Sequence, residues 1–303
     1  MRPAPVAVLG IGGIGGMVAA RTGALCVGTE RTVAAIRASG LRLTQNGTTT
    51  VAHPDAVERL DRPVSLLVIA VKAYALDDAL DRIAPEALEV AVILPLLNGL
   101  EHVDVLRARL AASQARPAVA AGSIGRVEAY SPEPGVVIQR TAGDAMITAA
   151  SRSLGHEALE ASLAPLRVPG LEVVVGGDER AVLWEKAARL AVLAAATVAS
   201  GSSVGALRED GAWRSRLEEA LRESCAVAAA DGVRLDPAGQ WAIIESLPHD
   251  LTTSTARDAA AGRPIELDAI AGSIVRGGLR LGVATPELDR LLTDARARAS
   301  RAA

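Results

Sequence analysis

Phenylalanine is absent from this chain of 303 residues, and only three tryptophans and two tyrosines supply aromatic surface. No run of basic residues interleaves with aromatics, and a net charge of −3 offers phosphate backbones no general attraction, so a nucleic-acid partner is not expected. Cysteine is nearly absent too. Cys26 and Cys225 make neither a disulfide framework nor a metal motif, and they read as small buried residues. His53, His102, His156 and His249 lie in unrelated contexts without ligand spacing; they read as surface or structural, and no metal is expected. No apolar run reaches the roughly 18 residues of a membrane span. The opening "MRPAPVAVLG" passes directly into a strand pattern without a charged leader or cleavage site, so no membrane association is expected and the cytoplasm is the expected location.

What is present is a half-hydrophobic mixture rich in alanine, valine, leucine and glycine, the composition of a globular enzyme. The first half alternates strand and helix patterns. Residues 6–9 and 24–28 are short apolar runs, 17–22 and 33–39 read helical, and "LLVIAV" (66–71) and "VAVIL" (90–94) are uninterrupted strands of the kind buried on both faces. That order predicts an α/β fold with a Rossmann-type doubly wound parallel sheet. "GLRLTQNGTTTVAHP" adds a hairpin turning at Asn46-Gly47, and a strand-rich region over 117–148 contains a turn at Pro132, Pro134 and Gly135. Beyond Gly176-Gly177 helical patterns take over. The predicted division is therefore 1–176, a cofactor-binding Rossmann domain, and 177–303, an all-helical domain, with substrate expected between them.

The strongest motif is "VLGIGGIGG" (8–16), with Gly10, Gly12 and Gly15 at G-x-G-x-x-G spacing and Gly13 inside the same loop. It follows a strand and opens a helix, the context in which glycines allow a tight turn, a close approach to a pyrophosphate and tight helix–sheet packing. Dinucleotide binding follows. At the end of the second strand, Glu30 stands at the distance of a ribose-binding carboxylate, which would favour NAD, while Arg31 would accept the 2′-phosphate of NADP. Helix capping by Thr29 or Thr32 is the plainer account of this polar cluster. The reading leans to NADP.

Three further residues invite a chemical reading. Lys72 follows "LLVIAV" and Asn98 follows "VAVIL", both at strand ends where open α/β sheets bind ligands, although Lys72 also suits a solvated helix start and Asn98-Gly99 a plain turn. Lys186 sits in "VLWEKAARLAVLAAATV" on the helical face of Val182, Leu183, Leu190, Leu193 and Thr197, while Glu185 and Arg189 lie to one flank, spaced to pair at the surface. A lysine so placed either snorkels to a wet edge or lines a cleft where its charge is used. Trp184, Trp213 and Trp241 read as core anchors of the helical region, with Trp241 able to edge a cleft.

Taken together, the glycine loop, "VKAYAL" with Lys72, "NGL" with Asn98, "SPEPGVV", "LWEKAA" with Lys186 and "STARDAAAGRPIELDAIAG" with Ser254, Asp258 and Glu266 resemble the ketopantoate reductase family, the NADPH-dependent 2-dehydropantoate 2-reductases, over almost the full length. The resemblance implies reduction of a 2-oxo acid, ketopantoate first among them, and with it a place in pantothenate biosynthesis. It makes Lys186 the general acid, Glu266 a substrate-facing carboxylate that keeps the lysine charged, and Ser254 a contact for the substrate carboxylate. Asn98 and Lys72 would border nicotinamide and substrate. Partial burial would lower the pKa of Lys186 toward neutrality. For Glu266 a carboxylate at a helix N-terminus is the plainer reading. Leu190 and Ala194 stand where the family usually carries asparagines, and Leu97 where it usually has glutamine. These changes leave open a same-scaffold reductase for another 2-oxo acid or an imine, or an NADP(H)-binding protein without turnover. A homodimer also stays open.

Overall fold

The computed structural model describes residues 6–89, 91–111 and 116–302, so the first residue of the run expected at 90–94 lies outside the described residues. The chain divides into two compact units, one of Met1–Leu97 with His102–Val182, the other of Asn98–Glu101 with Leu183–Ala303.

The first unit begins with β1 (Val6–Leu9), α1 (Gly13–Thr22), β2 (Leu25–Val27), α2 (Glu30–Ser39), the hairpin β3 (Leu41–Gln45) and β4 (Thr48–Ala52), β5 (Ala56–Val57) and β6 (Leu66–Ile69). It continues through α3 (Leu76–Leu80), β7 (Val92–Pro95), α4 (His102–Ala111), β8 (Ala118–Val119), β9 (Ala121–Gly125), β10 (Ala129–Tyr130), β11 (Val136–Gln139), β12 (Ala145–Ala150), α5 (His156–Leu163) and β13 (Leu171–Val175). Six strands pair in the order β5-β2-β1-β6-β7-β8, all in parallel. Leu66 to Ile69 are fully buried, as an apolar run must be when both sheet faces are covered. The order reverses between β1 and β6, the switch point at whose carboxyl edge ligands bind.

Local chemistry explains the rest of this unit. Asn46 and Gly47 both adopt positive φ, 51° and 73°, the signature of the tight turn that joins β3 to β4. Gly135 (φ 77°) closes the turn from β10 into β11, and β11 runs parallel to β3. Arg21 ties the end of α1 to the neighbouring strands β3 and β11, donating to Gln45 Oε1 at 2.7 Å and Gln139 Oε1 at 2.9 Å.

The second unit is helical: α6 (Glu179–Ser200), α7 (Val204–Glu209), α8 (Gly211–Ala230), α9 (Pro237–Ser246), α10 (Ser254–Ala260), a π-helical turn at Asp268–Gly272, α11 (Ser273–Leu281) and α12 (Pro286–Ala302). The units part inside α6, six residues beyond the glycine pair at 176–177. The first turn of α6 belongs with the first unit because Glu179 accepts from Arg107 Nη2 at 2.6 Å and from the Arg152 amide at 2.7 Å. Trp184 is buried and donates to Asp231 Oδ2 at 2.9 Å, as a core tryptophan should. Trp213 is less deeply placed than a core anchor, and both Trp213 and Trp241 are half-buried, under the guanidinium groups of Arg216 (4.8 Å) and Arg214 (5.1 Å) as cation–π partners. Cys26 and Cys225 are buried, and burial pushes their thiols up to about 12 and about 11. No helix among the described residues is long and apolar enough to cross a membrane.

The packing of α1 on the sheet sets the first prediction. A Cβ on Gly15 would lie 1.9 Å from Gly10 O, so Gly15→Ala must push helix from strand, at a cost of about 1–3 kcal/mol. Thermal denaturation should show a fall of several degrees in Tm, together with weakened dinucleotide binding; an unchanged Tm would contradict this packing.

Candidate active site

The candidate residues fall into two sets, one in each unit. In the first, Gly10 takes φ +92° and its Cβ position is filled by Val71, whereas a Cβ on Gly12 would meet nothing within 4 Å. Gly12 therefore leaves its outer face open. It caps α1, whose first turn holds no acidic residue and whose first internal hydrogen bond runs from Gly16 N to Gly12 O at 2.9 Å. The amides of Gly13, Ile14 and Gly15 are left as the helix's unpaired donors, the arrangement that receives a phosphate group. This cradle fits a dinucleotide pyrophosphate. Gly13 also has a packing reason, since a Cβ there would fall 2.3 Å from Ala129 O of β10.

Glu30 and Arg31 are exposed on the first turn of α2, at the carboxyl end of β2, and neither has an ion-pair partner among the described residues. Thr29 is the N-cap by position but its hydroxyl turns to Thr32 Oγ1 at 3.1 Å and makes no cap bond, so capping does not account for this cluster. Lys72 is half-buried beside Val71 and precedes a short helical turn, its carbonyl accepting from Ala75 N at 2.9 Å.

The second set lies within the helical unit. Lys186 Nζ donates to Asn98 Oδ1 at 3.0 Å. Burial pushes the Lys186 ammonium down from 10.5 to about 8; Glu266 opposes this fall and the Arg189 cation adds to it. Glu266 is buried directly before the helical turn at Leu267, and its carbonyl accepts from Ile270 N at 3.0 Å. The π-helical turn follows at once, a feature frequent at functional sites. Gly99, φ +97°, lets the Asn98 loop lie flush on that turn: a Cβ there would fall 2.1 Å from Ala269 O.

The flanking pair differs from the sequence expectation. Arg189 donates to the carbonyl of Glu185 and, at 2.5 Å, to Gln240 Oε1 instead of pairing with the Glu185 carboxylate, because the half-buried guanidinium finds acceptors on the helical scaffold. Ser254 opens α10, and its neighbour Thr253 caps that helix and meets Thr197 of α6, hydroxyl to hydroxyl, at 2.8 Å. Thr197 is about 16 Å along α6 from Lys186. The structure thus brings Lys186, Asn98 and Glu266 together, and anchors Ser254 farther along the same helix face. Asp258 pairs with Arg263 at 2.9 Å. On the lysine's own face Leu190 is half-buried, whereas Ala194 is fully buried and belongs to the core of the helical unit. Among the described residues no group of three or more His, Cys, Asp or Glu is placed to hold a metal ion.

One signal in the sequence separates these lysines from the other cations. Of 32 basic residues only two are lysines, Lys72 and Lys186. Arginine cannot give up its proton in a protein, so the ammonium is kept where a movable proton has use.

Known proteins resemble the chain over nearly its whole length. The model of the family described as ketopantoate reductase PanE/ApbA matches residues 6–152, and the model of that family's C-terminal part matches residues 178–299. The chain is similar to a 2-dehydropantoate 2-reductase of Mycobacterium tuberculosis, 32% identical over 303 residues, covering 95% of each chain. Among solved structures it is similar to a PanE/ApbA family ketopantoate reductase from Ralstonia eutropha, with TM-score 0.84 and 28% identity over 98% of this chain and 99% of that one. The fold also matches a D-mandelate dehydrogenase solved with NADH and anilino(oxo)acetate, with TM-score 0.85 and 24% identity over 98% and 99% of the two chains.

The lowered pKa makes stability pH-dependent with a definite sign. Below about pH 8 the folded chain holds a charged, desolvated lysine; between about 8 and 10.5 the unfolded chain binds more protons, so stability rises with pH. Lys186→Met removes the titrating group and should remove that rise, so the stability difference between the two proteins should change between pH 8 and pH 10.5. Urea denaturation of both proteins at the two pH values measures this; a pH-independent difference would contradict it.

Proposed function

Because the chain belongs to the ketopantoate reductase family and is an oxidoreductase of the CH–OH/C=O pair, we propose that it reduces a 2-oxo acid, 2-dehydropantoate before others, with NADPH. The observation that carries the reading is the Lys186 ammonium, held by Asn98 Oδ1 at 3.0 Å and brought to about 8 by burial. The amides at the start of α1 and the open face of Gly12 would hold the pyrophosphate, and Arg31 the 2′-phosphate. When bound, the nicotinamide supplies the hydride. Lys186 donates a proton to the carbonyl oxygen as that carbon becomes a carbinol, and afterwards regains one from water. Asn98 fixes the direction of the ammonium by accepting a hydrogen bond from it. Glu266 keeps the lysine protonated near neutral pH, while Ser254 and Lys72 are assigned to the substrate carboxylate and the cofactor border.

A second reading has its own support. The half-buried Leu190, one turn from Lys186, suits a 2-oxo acid with a more apolar side chain than ketopantoate. A panel of 2-oxo acids of graded polarity separates the two readings.

Loss of reduced-nicotinamide absorbance with ketopantoate is the direct assay. Lys186→Ala should lower kcat by about 10²–10⁴-fold while NADPH binding persists. Reduction should decline above about pH 8, as Lys186 loses its proton, and the reverse oxidation should rise through the same pH. Bound NADPH without turnover of any 2-oxo acid would sink the reading. Arg31→Ala should narrow the preference for NADPH over NADH by about 10–100-fold in Kd; an unchanged ratio would remove Arg31 from the site.

A further inference from the structure

The segment Asn98–Glu101 and the turn after Glu266 supply two of the groups around Lys186, and they are fastened to each other by one side chain. Arg276, on α11, donates through Nε to Glu101 Oε1 at 3.0 Å and through Nη2 to Glu101 Oε2 at 2.6 Å. Its Nη1 donates to both carboxylate oxygens of Asp268, each at 3.1 Å, and Nη2 also reaches the Asp268 carbonyl at 3.1 Å. A guanidinium has five N–H donors, and these contacts occupy them in a fixed fork. Gly272 clears the path, since a Cβ there would lie 3.0 Å from Asp268 Oδ1 and 3.1 Å from Arg276 Nη1. Arg296 adds a further bond to Asp268 at 2.9 Å.

Arg276 and Glu101 are about two-fifths exposed, and ion pairs so exposed contribute little net stability. What the fork specifies is geometry. Glu101 lies three residues after Asn98, and Asp268 two after Glu266. We propose that Arg276 is a positioning residue of the active site, which locks the Asn98–Glu101 segment to the turn beyond Glu266 and so holds the Asn98 oxygen on Lys186. This rests on Lys186 being the proton donor. The charged groups that bear on Lys186 are Glu266, which keeps it protonated, and Arg189, which works against that. Releasing the fork withdraws the acceptor and loosens the carboxylate, so the ammonium loses support.

The test uses the intact chain with lysine labelled at Cε, where Lys72 and Lys186 are the only side-chain signals and Lys186→Arg assigns them. Arg276→Gln should lower the Lys186 titration midpoint by about half a pH unit or more, leave Lys72 unmoved, and lower kcat by about 10–100-fold with little change in the KM for cofactor. Arg276→Lys keeps the charge without the fork and should not rescue. Glu101→Gln breaks the same contact from the other side and gives the readout should Arg276→Gln fail to fold. A folded variant with the Lys186 midpoint unchanged or raised overturns the proposal, as does full rescue by Arg276→Lys. If no 2-oxo acid is turned over, the functional reading fails, while the titration, which needs no substrate, still decides the role of Arg276.

Discussion

The cost of holding one ammonium out of water governs the helical unit. Burial pushes the Lys186 ammonium down to about 8, with Glu266 opposing the fall and Arg189 adding to it, while Asn98 Oδ1 accepts a hydrogen bond from it. A group balanced there exchanges a proton readily in either direction, which neither a free lysine nor an arginine does at neutral pH. The surrounding features serve that balance. The aliphatic face of α6 supplies the desolvation, the π-helical turn follows directly on Glu266, and the glycine at 99 lets the Asn98 loop press on that turn.

The glycine loop in the first unit rests on different physics. No side-chain charge is needed at the glycine loop, because the start of α1 offers unpaired amides and no competing acid. The glycines divide the work. Gly10 takes a positive φ, Gly15 and Gly13 yield to neighbouring backbone, and Gly12 alone of these faces open space. Family membership makes the chain a nicotinamide-dependent oxidoreductase. Glu30 and Arg31, the residues proposed to choose between the two nicotinamide dinucleotides, are both exposed at one helix start.

Much of this was legible in the sequence, where local rules dominate. Asn46-Gly47 announced its hairpin because both residues tolerate positive φ, and the 66–71 run announced a strand covered on both faces. Lys186 stood out by its place on an apolar helix face. Contacts between distant residues left no such mark: Arg276 and Glu101 are 175 positions apart, and nothing in "SIVRGGLRL" distinguishes Arg276 from the other arginine in it. The expected Glu185–Arg189 pair failed for the same reason, since Gln240 lies 51 residues away and competes for the guanidinium. Trp213 is half-buried where a core position was expected, with Arg216 of its own helix stacked over the ring.

The measurement that bears most directly on this account is the absolute titration midpoint of Lys186 in the wild-type protein, followed at its Cε carbon with Lys72 as the internal comparison. The account predicts a midpoint near 8. A midpoint at the ordinary lysine value of 10.5 would mean that the ammonium is solvated, and would remove the physical basis for a proton donor at this position.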